Sequence, residues 1–97
     1  MKNMTKTERN KSINKLVYRF AEKLGYEVDM SEIDVMFISP DGNMDNDIQY
    51  RRSTQDVYDA NWSSEKTKSD VEELEQYIKI LNTLSDEVLE GLVNVVD

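Results

Sequence analysis

The chain has 97 residues, neither cysteine nor histidine, and 20 acidic against 12 basic side chains, for a net charge of −8. That composition excludes a disulfide framework, a thiolate metal site and catalysis by the commonest general base. Length and polarity, with 33% of residues charged, suit one domain over residues 1–97 with a modest core, and no run approaches the ~18 apolar residues of a membrane span.

Residues 1–5 are expected to be disordered. Thr5-Lys6-Thr7-Glu8 has the form of a capping box, in which hydroxyl and carboxylate satisfy each other's backbone donors. Ile13, Leu16, Val17, Phe20 and Leu24 follow at helical spacing, and Gly25 supplies a left-handed stop, so a helix is predicted over about 6–24. The period then changes to two. Tyr26, Val28 and Met30 alternate with acidic residues, and the run Ile33 to Ser39 is apolar on both faces from Val35 to Ile38, as in a more central strand. Ser39-Pro40-Asp41-Gly42 reads as a type I turn, and Met44, Ile48 and Tyr50 mark a return strand over about 44–51.

Residues 52–68 are polar, with Val57, Tyr58 and Trp62 as their large apolar groups, and fit a short helix, an edge strand or a loop. The remainder is helical. Ser69-Asp70-Val71-Glu72 is a second capping-box match, Val71, Leu74, Ile78 and Leu81 recur at helical spacing, and Ser85-Asp86-Glu87 resembles a fresh helix start after a break near 82–85. The expected fold is α+β: an N-terminal helix, a small antiparallel hairpin or three-stranded sheet, and two C-terminal helices.

The charge is uneven. Residues 1–24 hold seven basic and two acidic side chains, a surplus of +5, whereas residues 25–97 hold five basic and eighteen acidic, a surplus of −13. A basic helix attached to an acidic body can attract that body within the fold, or can itself meet phosphates or a membrane surface. Its apolar stripe is also what a core helix needs.

Candidate chemistry is sparse. Asp41, Asn43 and Asp45 match the first three positions of a calcium loop, but Asn46 stands where the sharp turn needs glycine and Arg52 where a bidentate glutamate is required. Asp34 and Asp47, as paired carboxylates, would meet across the hairpin, yet no nucleophile or base completes a constellation and the return strand reads Ile48-Gln49-Tyr50-Arg51. The three glycines sit singly, so there is no phosphate loop. The expectation is therefore a protein that is not an enzyme and takes neither cofactor nor metal.

Two surfaces remain. Asp41, Asp45, Asp47, Asp56, Asp59, Asp70, Glu72, Glu73, Glu75, Asp86, Glu87 and Glu90 would form a negative face. Carboxylates three or four apart on a helix lie ~5–6 Å from one another, similar to the phosphates of a nucleic-acid strand. Such a face would occupy the basic groove of a nucleic-acid-binding protein and exclude its DNA, as the small inhibitors of phages and mobile elements do. Second, Leu84, Val88, Leu89, Leu92, Val95 and Val96 exceed what one short helix can bury and mark a homodimer interface. The sequence thus points to a cytoplasmic inhibitor, a DNA mimic with no direct nucleic-acid or membrane contact. A dimeric regulatory or assembly adaptor is the alternative, followed by a nucleic-acid binder acting through the basic helix.

Overall fold

The computed structural model describes residues 3–30, 34–59 and 65–96. It is an α+β fold: α1 (Lys6–Lys23), β1 (Glu27–Asp29), β2 (Val35–Ile38), a 3-10 turn (Met44–Asn46), β3 (Ile48–Arg51), β4 (Asp56–Asp59), α2 (Glu65–Thr83) and α3 (Asp86–Val96). No helix is long and apolar enough to cross a membrane among the described residues.

Helix α1 begins at the expected capping box, with Thr5 Oγ1 accepting from Glu8 N–H and the Glu8 carboxylate accepting from Thr5 N–H. It stops where Gly25 turns left-handed, at φ 104°. Gly25 N–H donates to Glu22 O and Tyr26 N–H to Ala21 O, both at 3.0 Å. These are the two bonds of a Schellman cap, and they feed the chain directly into β1. Of residues 1–5, Met4 N–H donates to Asp86 Oδ2 at 2.9 Å and Thr5 is the helix cap, while residues 1 and 2 lie outside the described residues.

The four strands form an antiparallel meander in the order β1-β2-β3-β4. The hairpin β2–β3 is the expected one, with Val35 opposite Tyr50 and Phe37 opposite Ile48. Its return strand starts at Ile48 and not at 44, because Asn43 Oδ1 accepts from Asp45 N–H and starts the 3-10 turn first. The fourth strand comes from the unassigned segment: Val57 pairs with Tyr50 and adds one strand to the three expected. Trp62 lies outside the described residues.

One sheet face carries Val35, Phe37, Ile48, Tyr50 and Val57, all buried against the core-facing stripes of α1 and α2. Tyr18 of α1 meets Phe37 and Tyr50 edge-on, at centroid distances of 6.4 and 6.0 Å. The Tyr50 hydroxyl donates to Asn14 Oδ1, which gives a buried polar pair its partner, and burial raises the phenol's pKa.

Helix α2 starts at Glu65, so Ser69 sits inside the helix and is no cap. Glu65, Lys66, Thr67 and Lys68 form its first turn, and Thr67, turned inward, donates its hydroxyl to Asn46 Oδ1 at 3.3 Å. The break before α3 falls where expected. Ser85 caps it, with Oγ accepting from Val88 N–H at 3.3 Å.

Candidate protein-binding surface

The expected acidic face divides in two once the fold is built. Asp47, Asp70 and Asp86 are taken inward. Asp47 is buried and accepts from Ser39 N–H at 2.7 Å, closing the end of the hairpin. Asp70 is buried between the Tyr26 hydroxyl at 2.6 Å and Lys66 Nζ at 2.7 Å. Asp86 is half-buried, and the Met4 N–H and the Arg9 guanidinium hold its carboxyl below the ordinary range. A free acidic face cannot include these three, since each is satisfying a donor of the fold.

The other carboxylates stay outside. Asp41 is exposed but anchors the turn, accepting from Ser39 Oγ, Asn43 N–H and Asn46 Nδ2, which together lower its pKa. Those bonds give the partial calcium-loop match a turn-forming role, and no cluster of three or more metal-ligating acidic side chains occurs among the described residues. Asp45 is exposed. Asp56 is exposed and accepts from Thr54 Oγ1 at 2.7 Å. Of Asp59 only the backbone, in β4, is described. Asp34 does not meet Asp47. It accepts from Gln49 Nε2 at 2.6 Å and pairs with Arg51, whose hydrogen bonds lower its pKa.

Glu72, Glu73 and Glu75 on α2, and Glu87 and Glu90 on α3, are exposed and form no ion pair among the described residues. Lys68 and Lys79 are also exposed on α2, so its outward side is acidic in its middle and mixed at its ends.

Sequence patterning missed what lies beside Glu72 and Glu73. Phe20 of α1 stacks on Tyr77 of α2, with centroids 4.5 Å apart and planes 17° from parallel. With Ile80, which is 56% exposed, they floor a shallow groove of about 440 Å³ whose rim carries Ser69, Glu72, Glu73 and Gln76. Burial raises the Tyr77 phenol pKa. The signal was present, since Phe20 and Tyr77 both lie at the edge of their helices' apolar stripes, but nothing in either helix alone says that the edges meet.

The basic helix is neither wholly paired nor an unpaired row. Arg9 reaches across to α3, donating to Asp86 at 2.7 Å, Leu84 O at 2.6 Å and Asn82 O at 3.2 Å. Arg19 pairs with Glu22 on its own helix at 3.4 Å. Lys6, Lys11 and Lys23 are exposed.

The six residues expected at a dimer interface also separate. Leu89 is fully buried in the core, and Leu84 and Val96 pack against it in part, which removes these three from a free apolar surface. Val88, Leu92 and Val95 remain exposed, at 47%, 37% and 82%. Comparison of the chain with protein-family models, curated proteins and solved structures finds no match.

Proposed function

We propose that this chain is a small acidic binding protein that docks a basic, nucleic-acid-binding partner on the outward side of α2 and so competes with nucleic acid for it. One observation carries the reading: Glu72 and Glu73 stand without ion pairs among the described residues beside an apolar floor of Phe20, Tyr77 and Ile80, with Glu75, likewise without an ion pair among them, on the same helix. A surface that serves only solubility has no use for that floor, whereas protein interfaces set an apolar centre inside a polar rim. The carboxylates supply the charge pattern that a phosphate-binding groove accepts, and the aromatic pair supplies contact area that free DNA does not offer.

The test uses immobilised wild-type chain beside the variant Glu72→Lys, Glu73→Lys, Glu75→Lys. The wild type is expected to retain a basic nucleic-acid-binding protein from a bacterial lysate and to displace DNA from it, and the variant to do neither while keeping its fold. Binding should weaken between ~50 and ~500 mM salt, over which the Debye length shrinks roughly threefold. A gel shift of DNA by this chain alone, or a partner affinity that ignores salt, would defeat the reading.

A further inference from the structure

Helix α3 presents a second face that stands exposed and that no described residue covers. Val88, Gly91, Leu92 and Val95 lie at i, i+3, i+4 and i+7, which places them on one stripe, and all four are exposed. Glycine at an exposed position inside a helix is unfavourable next to alanine. Here the fold itself does not require it, for a Cβ added at Gly91 would meet no atom within 4 Å. A helix that keeps glycine between two valines and beside a leucine leaves a notch at the centre of an apolar stripe, shaped to admit a side chain from outside.

We infer that the notch admits Leu92 of a second copy, and that two chains pair through α3 with their helices antiparallel. A twofold axis beside Gly91 and Leu92 sets Gly91 against the other copy's Leu92 and, in the same register, Val88 against its Val95. Every member of the stripe then has a partner, as an isologous interface demands.

Charge selects the antiparallel orientation. Glu87 and Glu90 stand at the start of α3, exposed and without ion pairs among the described residues. At its end, Val95 and Val96 share a surface hollow with Arg19, Glu22 and Lys23 of α1, which runs parallel to α3. Arg19 and Glu22 engage each other, and Lys23 forms no ion pair among the described residues. Antiparallel pairing brings the Glu87 end of one copy to the Lys23 end of the other and sets opposite helix-dipole ends together. Parallel pairing would stack Glu87 on Glu87. The stripe is small beside the ~800 Å² per partner of a standard interface, so the dimer is a reversible one of micromolar strength.

Sedimentation equilibrium from ~10 µM to ~1 mM should show the 11.3 kDa chain passing to twice that mass. Leu92→Asp should leave a monomer. Gly91→Ala separates this from a structural role, because it should raise the thermal midpoint of the monomer while weakening association roughly tenfold by filling the notch. Lys23→Glu should weaken the dimer, and Lys23→Glu with Glu87→Lys should restore it. The chain has no native cysteine, so the double variant Val88→Cys, Val95→Cys should cross-link between chains on oxidation. The two cysteines lie ~10 Å apart along one helix, too far to bridge within it. A monomer throughout the concentration range would overturn the inference. So would a Gly91→Ala variant that dimerises as before, or Val88→Cys alone cross-linking as fast as the double variant.

Discussion

Helices α2 and α3 follow each other across two residues, and both carry acidic residues and aliphatic residues at helical spacing, yet the fold uses them differently. The longer helix buries Thr67, Asp70, Val71, Leu74, Ile78 and Leu81 along one stripe, against α1 and β4. The shorter one fully buries Leu89 alone and leaves Val88, Leu92 and Val95 in water, although its sequence is the more apolar. Besides Leu89 and the half-buried Val93 and Val96, which pack in or against the core, α3 is held by a polar clamp at its first turn. Arg9 caps the carbonyls at the end of α2 and pairs with Asp86 at the start of α3, so that one guanidinium serves a helix C-terminus and, through a carboxylate, the next N-terminus. Apolar content therefore says little about how much a helix contributes to a core. Helix α2 gives a whole stripe to the core, whereas α3 packs there through Leu89 with the half-buried Val93 and Val96 and is clamped at its start.

Truncating the core should make that contrast measurable. Phe37→Ala removes a fully buried ring that touches Tyr18 and Tyr50 and should cost about 3–5 kcal/mol of global stability by denaturant unfolding. A loss under about 1 kcal/mol would mean the sheet does not carry the core. Leu89→Ala should cost about 2–4 kcal/mol, and most of that should appear as local release of α3. Amide exchange would then speed up over 86–96 and leave the β2–β3 ladder protected. Equal acceleration in both places would join α3 to the core as one cooperative unit and remove the distinction.

Some of this was legible in the sequence because the signals were local. The Thr5 capping box, the Gly25 stop and the Ser85 cap each act within a few residues and position their elements as read, and the turn through Pro40 and Gly42 closes as read although the return strand begins only at Ile48. The fourth strand was hidden because the β3–β4 turn places Gln55, at φ 62°, in the left-handed conformation that usually signals itself with glycine or asparagine. Gln55 is held there from outside, donating to Asn10 Oδ1 and accepting from Asn82 Nδ2. The start of α2 was hidden because Thr67 and Asp70 are polar residues at buried positions, satisfied by Asn46, Tyr26 and Lys66. The acidic face misled for the same reason. Asp47, Asp70 and Asp86 look like Glu72 or Glu75 in a charge count, but their donors lie 8, 44 and 82 residues away. Only the fold brings such donors to them.

The smallest effect expected is also the one that isolates the clamp. Asp86 accepts from Met4 N–H at 2.9 Å and from Arg9 at 2.7 Å, and these bonds lower its pKa from the ordinary 3.8. A carboxyl depressed in the folded state adds stability that is complete above its unfolded pKa and is lost as pH falls through the folded one. The clamp should therefore be at full strength at neutral pH and fade below about pH 4. Asp86→Asn keeps the shape and one acceptor but removes the titration. Its stability at pH 7 should fall below wild type, its acid limb should be shallower, and the two curves should converge in strong acid. The limb will not vanish, because Asp34 and Asp41, depressed by their own donors, titrate in the same window. The loss should register first in exchange at the start of α3, with the amides of α2 between Val71 and Leu81 unchanged. Superimposable acid limbs for wild type and variant would show that Arg9 and Asp86 do not fix α3, and that its apolar packing through Leu89, Val93 and Val96 holds it instead.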